Sequence, residues 1–202
     1  DALPISLNTR SAFCSMPYSD IFPDFYGTLS YAPDQIEAYF HVATCHGFAI
    51  ACHAIGDEAN TIVLNAAAST HAHGSIEHAQ MLKPADIPRF AKLGLTASIQ
   101  PQHAMDDRDV ITRFWANPGG IPYAFKALHD AGVRLRMGSD APVAPLDPWM
   151  AISAAVFGTE SSDREPFQPE QCLDARTALA ASTAVGRDRP EPGDPADLVL
   201  LD

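Results

Sequence analysis

Two rhythms of apolar residues alternate along the chain. From Pro33, a residue suited to a first helical turn, Ile36, Tyr39, Phe40 and Ala43 recur at helical spacing until Gly47. Phe48 to Ala51, closed by Cys52, is instead a short unbroken apolar run. It predicts a strand buried on both faces, as in a parallel sheet. His53 stands where that run ends, and Asp57 is placed to cap the next helix. Helical spacing returns over 58–70, where Ala59, Ile62, Val63, Ala66 and Ala67 share one face. A strand is predicted over 75–79. Pro84 then opens a helix with Ile87, Phe90, Ala91 and Leu93 inward, and Gly94 stops it. Residues 95–99 predict another strand, running into Gln100-Pro101-Gln102-His103. The charged stretch 104–118 (Asp106, Asp107, Arg108 and Asp109 among it) predicts an irregular loop, of a length that more often serves function than connection.

Beyond that loop the alternation resumes. A helix near 120–131 leads to a strand over 133–138, which ends in Ser139-Asp140-Ala141-Pro142. Asp147-Pro148 pairs a cap with a first helical position and opens a helix to about Phe157; another is predicted over about 169–182. Residues 186–196 are rich in proline, glycine and charge and read as a linker, and 196–201 as a last apolar strand. Residues 1–31 have little period and read as loop, with Arg10 as a solvated loop residue or a substrate contact. Four strand-then-helix repeats at about 20 to 40 residues imply an α/β fold with a parallel sheet and right-handed crossovers.

Composition narrows the partners. The chain has 202 residues, 47% hydrophobic, with 13 basic and 25 acidic side chains and a formal net charge of −12. Such a surface repels phosphate backbones and anionic lipid, which argues against nucleic acid and membrane as partners. No apolar run approaches the roughly 20 residues of a membrane helix. The chain opens on Asp1 without a basic-then-apolar leader, and reads as a processed chain or a piece of something longer. Cys14, Cys45, Cys52 and Cys172 form no C-x-x-C pair and read as reduced thiols, which fits the cytoplasm.

The candidate chemistry lies at the strand ends. His53, His78 and Asp140 each close a different strand of one parallel sheet, and the carboxyl ends of such strands converge on one face. Two imidazoles and a carboxylate suit a divalent first-row metal, most commonly zinc. Such an ion lowers the pKa of water towards about 7, and a carboxylate beside it can carry a proton to a leaving nitrogen. Asp140 is placed for that shuttle. A lone histidine at a strand end is otherwise a hydrogen-bonded structural residue, and Asp140 before Ala-Pro could cap a turn. Glu77 reads equally as support for a ligand or as a paired strand carboxylate. His71-Ala-His73 imitates a metal motif but precedes a strand. His103 follows the third strand, placed to bind substrate or an oxyanion, and His41, His46 and His129 read as surface residues.

Several segments, in order, resemble the amidohydrolase superfamily, and within it the amidohydrolase 3 group that includes N-substituted formamide deformylase-like proteins. They are His53-Ala-Ile-Gly-Asp-Glu-Ala-Asn60, Ile76-Glu-His-Ala-Gln80, Asp86-Ile-Pro-Arg-Phe90, Ser98-Ile-Gln-Pro101 with His103, and Gly138-Ser-Asp-Ala-Pro-Val143 with Pro145-Leu-Asp-Pro148. Ala196-Asp-Leu-Val-Leu-Leu-Asp202 resembles the family's closing strand, and Ser11-Ala12 after Arg10 the loop that follows its fourth barrel strand. The resemblance implies a (β/α)₈ barrel with one or two metals and hydrolysis of non-peptide carbon–nitrogen bonds in small amides or formamides. It makes His53 and His78 metal ligands and Asp140 ligand and proton shuttle; His103, Gln100 and Arg10 are the residues expected to contact substrate.

The family's first-strand H-x-H pair and fourth-strand lysine have no counterpart in the sequence. A full barrel takes about 250 residues and eight strands, and four are predicted. The expectation is therefore a partial TIM barrel. Residues 1–31 would be a loop-rich segment, 32–185 a C-terminal half with strands five to eight, and 186–202 a linker and strand of a small β domain. Its partner would be the missing half-barrel or a second copy. The alternative is an inactive half-barrel or assembly subunit. A dinucleotide-binding fold lacks any G-x-G-x-x-G after a strand.

Overall fold

The computed structural model describes residues 8–114, 119–159 and 161–197. Helix α1 (Pro33–Cys45) precedes strand β1 (Ile50–Ala54), and α2 (Asp57–Thr70) leads to β2 (Gly74–His78). The short β3 (Met81–Leu82) and α3 (Ile87–Leu93) follow, then β4 (Thr96–Ile99) and α4 (Pro101–Phe114). After β5 (Ile121–Pro122) and α5 (Phe125–Asp130) come β6 (Arg134–Met137), α6 (Pro148–Phe157), a 3₁₀ turn at Pro169–Gln171 and α7 (Ala175–Ala181). Strands β1, β2, β4 and β6 form one parallel sheet in that order, and β3 pairs antiparallel with β5 in a separate two-stranded ribbon.

Register divides the sheet into two rows, because successive side chains point to opposite faces. Cys52, Ile76, Ala97 and Leu135 are neighbours across the four strands, and the last three are buried in the core. The other row runs His53, Glu77, Ser98 and Arg136, with Ala51, Ser75, Thr96 and Arg134 beside it. Burial is thus one-faced. This corrects the expectation that β1 is buried on both sides: Ala51 and His53 are exposed, and Phe48 precedes the strand at 68% exposure. Ser-Ile-Glu, Thr-Ala-Ser and Arg-Leu-Arg in the other three strands alternate with period two, the pattern of a half-buried sheet.

The core lies between the apolar row and the helices. Val63, Leu64 and Ala67 of α2, Phe90 of α3 and Leu128 of α5 are buried there. Each large side chain so buried contributes about 1.5–3 kcal/mol relative to exposure. Tyr39, expected inward on α1, is 56% exposed and meets Tyr31 edge-on.

The expectation of a C-terminal partial barrel made of strands five to eight is also corrected. Among the described residues, six strands and seven α-helices follow one another from Pro33 to Ala181, and residues 8–31 pack as part of the same body. Ala12, Cys14 and Tyr18 are buried, the backbone N–H of Cys14 donates to the Tyr26 carbonyl at 2.8 Å, and that of Tyr18 to the Phe25 carbonyl at 2.9 Å. Asp57 anchors this segment. It does not cap α2, whose cap is Gly56; its fully buried carboxylate accepts from the backbone N–H of Ser15 at 2.9 Å and from the Ser15 hydroxyl. The stretch expected as irregular from 104 is helix α4, with Ala104, Met105 and Ile111 buried. Most of the expected closing strand at 196–201 lies outside the described residues.

Candidate functional site

Four side chains meet where the parallel strands end. His53 is the penultimate residue of β1 and belongs to the open row. His78 is the last residue of β2, 9% exposed, with φ of 69°. Ala79, next in line, has φ of 43°, so two successive left-handed residues swing the chain out of the sheet and into β3. His103 is the third residue of α4, which Pro101 opens immediately after β4, and is 8% exposed. Asp140 lies in the turn after β6, at φ of 55°, with its side chain 44% exposed.

His78, His103 and Asp140 each offer a ligand atom within 4.8 Å of the others. Nε2 of His103 is 3.4 Å from Oδ2 of Asp140, and Nε2 of His78 is 3.9 Å from the same oxygen. The rings of His78 and His103 stack with centroids 5.6 Å apart. His53 stands edge-on to His78 at 4.5 Å. The trio read from sequence was His53, His78 and Asp140. The convergent donor set holds His103, assigned from sequence to substrate, with His53 against its flank.

The donor set fits a divalent cation. Burial first, then the neighbouring His53 and His103, push the His78 imidazole down to about 4, partly opposed by Asp140. The ring is neutral at pH 7, with a lone pair free to bind a metal. Its Nδ1 is buried and has no hydrogen-bond partner among the described residues. Imidazole nitrogens and a carboxylate oxygen are ligands that zinc and its neighbours accept.

The cluster opens on a cleft of about 810 Å³ that His53, His78, His103 and Asp140 line together with Phe13, Leu29, Tyr31, Ile36, Val63 and Val143. The wall is mostly apolar with a few polar groups, the usual form of a small-molecule site. Cys52 supplies no nucleophile: burial, then Glu77, raise its thiol to about 11. Glu77 accepts from the Ser75 hydroxyl at 2.5 Å within its own strand. Arg10 pairs with Asp20 at 2.9 Å, and Gln100 is buried with its Oε1 unpartnered among the described residues. Of the three residues assigned to substrate, His103 is the one among the cleft's described lining. His71 and His73 are exposed at the end of α2, and His41, His46 and His129 are exposed too.

Sequence reasoning passed over one polar group here. Gln80 Nε2 donates to Asp107 Oδ2 at 2.7 Å, and the Tyr123 hydroxyl donates to the same oxygen at 2.8 Å. Asp107 lies one helical turn beyond His103. A helical reading of residues 101–114 would have placed the two on one face.

The amidohydrolase family matches residues 1–202 of this chain. The match begins at the first residue and takes in the loop-rich segment, so the expectation of a fragment that resembles the family in a C-terminal half only is corrected to a match along the whole chain. The chain is 32% identical over 187 residues to Protein LONG AFTER FAR-RED 3 of Arabidopsis thaliana, covering 88% of this chain and 32% of that protein. Its fold is similar to that of an uncharacterized metal-dependent hydrolase from Pyrococcus horikoshii OT3. There the TM-score is 0.79 at 30% identity, over 90% of this chain and 37% of the other. An uncharacterized metal-dependent hydrolase from Pyrococcus furiosus gives 0.77, also at 30% identity, with the same coverage. The chain spans about a third of the length of these relatives. The candidate metal cluster of His78, His103 and Asp140 is set in this fold. Matched along its whole length, the chain belongs to the amidohydrolase family.

Proposed function

We propose that this chain carries the site of a divalent-metal-dependent hydrolase that cleaves carbon–nitrogen bonds other than peptide bonds in small amides or formamides. The observation that carries the proposal is the convergence of His78, His103 and Asp140 within 4.8 Å in the lining of a mostly apolar cleft. The metal-dependent hydrolases of the two Pyrococcus species, similar in fold, support the reaction class.

His53, His78 and Asp140 hold the ion in this proposal, with His103 as a further donor that also faces substrate. Zinc is the metal that best suits the set. When bound, the ion supplies Lewis acidity and lowers the pKa of water at the site towards about 7. Asp140 takes the proton of the attacking water and returns it to the leaving nitrogen, a transfer that its exposed position in the turn after β6 allows. The neutral His78 holds its place without competing for that proton. Phe13, Leu29 and Tyr31 receive the apolar substituent of the substrate and keep bulk water from it. Free cysteines at 14, 45, 52 and 172 agree with a cytoplasmic setting.

Zinc content by elemental analysis, combined with hydrolysis of a panel of N-substituted amides and formamides, tests this. About one zinc per chain is expected, with turnover abolished by a chelator and restored by Zn²⁺. Asp140→Asn should lower turnover at least about 10²-fold. A folded chain with no bound metal and no hydrolysis across the panel sinks the proposal.

A further inference from the structure

We propose that Asp107 is a positioning residue that sets the separation of His78 and His103, by joining the turn after β2 to helix α4 through Gln80 and Tyr123. The inference rests on the metal reading of the two imidazoles and extends it to residues outside the donor set, of which Gln80 and Asp107 also line the cleft.

The two imidazoles come from different elements. His78 ends a strand and His103 begins a helix, and their rings lie 5.6 Å apart. Gln80 follows His78 by two residues, and Asp107 follows His103 by four, one turn along α4. A closed circuit of hydrogen bonds links them. Gln80 and Tyr123 both donate to Oδ2 of Asp107, at 2.7 and 2.8 Å, and the backbone N–H of Tyr123 donates to the carbonyl of Gln80 at 2.6 Å. All three residues are buried: Gln80 is 2% exposed, Tyr123 3% and Asp107 9%. In such surroundings, hydrogen bonds are electrostatically stronger than exposed ones. Burial, then Asp107, hold the Tyr123 phenol well above its usual range, so it remains a donor.

The turn that the circuit grips needs a grip. His78, Ala79 and Tyr123 all have positive φ, at 69°, 43° and 50°, and none is glycine. Residues with a β-carbon persist there when their surroundings over-determine them. On the far side, Asn60 Nδ2 donates to the Met81 carbonyl at 3.2 Å, and Met81 N–H to that of Ile55 at 2.9 Å. On the side facing α4, Asp107 makes the link. Loss of the acceptor lets the turn and the helix relax separately, and the donor atoms of His78 and His103 drift from a shared centre.

Cobalt(II) added to the metal-stripped full chain tests this without catalysis. Competition with a chelator gives the affinity, the visible absorption bands report ligand geometry, and thermal unfolding is measured in parallel. Asp107→Ala should weaken Co²⁺ binding about 10- to 100-fold and alter the bands. Gln80→Leu and Tyr123→Phe, each removing one donor, should weaken it by up to about 10-fold. Asp107→Asn, whose amide oxygen can occupy the place of Oδ2, should rescue affinity to within about 3-fold of the parent chain. Tyr123→Phe keeps its volume and carries the test if Asp107→Ala does not fold. Parent-like affinity and bands in Tyr123→Phe and Gln80→Leu overturn the positioning role, as does Asp107→Asn binding as weakly as Asp107→Ala. A parent chain that takes up no Co²⁺ overturns the metal reading and this proposal with it. Uptake that no substitution perturbs overturns the positioning role alone.

Discussion

The two rows of the central sheet share strands, register and backbone hydrogen bonds, yet they are built for different tasks. Ile76, Ala97 and Leu135 face the helices, small enough or flat enough to pack closely. Glu77, Ser98 and Arg136, one residue further along each strand, face away, with His53 at their edge. The difference teaches where stability and chemistry divide. The dry row carries the folding free energy, while the open row and the strand ends carry groups that would be costly to bury. His78 sits where the two meet: a strand-end imidazole buried like a core residue, its basicity suppressed by that burial.

The sharpest way to break the comparison is to hollow out the dry row. Ile76→Ala, at a fully buried position, should destabilise the fold by about 2–5 kcal/mol in urea unfolding. Next comes acid. With its pKa held near 4 in the folded chain against 6.5 unfolded, His78 takes up a proton on unfolding throughout that window. Its contribution is therefore complete above pH 6.5 and lost as the pH falls through 6.5 to 4. The loss should reach about 3 kcal/mol in the metal-free chain, and His78→Ala should flatten the profile. A profile as steep in His78→Ala would assign the acid sensitivity elsewhere. His53→Ala, on the open row, should change stability by no more than about 0.5 kcal/mol while weakening Zn²⁺ binding at least about 10-fold. Smallest of all, Ser98→Ala should leave the unfolding midpoint within about 0.5 kcal/mol of the parent and metal affinity unchanged. A large stability loss at Ser98 would mean that the row is covered in solution.

Much of this division was legible in the residue pattern. The strands that lead to His53, His78 and Asp140 could be placed from the alternation of short strand-like and helical stretches, and Asp147-Pro148 opens α6 with the Asp147 carboxylate accepting from the Trp149 N–H at 2.9 Å. Helix α4 was not legible, for a definite reason. Its buried stripe runs Ala104, Met105, Asp107 and Ile111, so a carboxylate occupies a position where periodicity looks for an apolar side chain. Its partners, Gln80 and Tyr123, are 27 and 16 residues away in sequence. With α4 read as loop, His103 could not be seen to share a donor cluster with His78. The role of Asp57 was hidden likewise. As the first helical residue it looks like a cap, and nothing local reveals that Ser15, 42 residues earlier, lies against its carboxylate. The both-faced burial assigned to β1 came from counting Phe48 and Ala49, which belong to the approach and not to the strand.

Gly56 has a consequence for any attempt to redesign the cleft. A β-carbon at this position would lie 1.9 Å from the carbonyl oxygen of Phe13, so the two main chains touch with nothing between them. The Ala59 N–H donates to that same carbonyl at 3.1 Å and the Ser15 N–H to Asp57 at 2.9 Å, so the segment bearing Phe13, Leu29 and Tyr31 is tied to the exit of the first strand and resists sliding outward to admit a bulkier guest. Selectivity should be retuned by trimming those three side chains in place, and libraries that vary the length of the segment should lose the whole pocket along with its old preference.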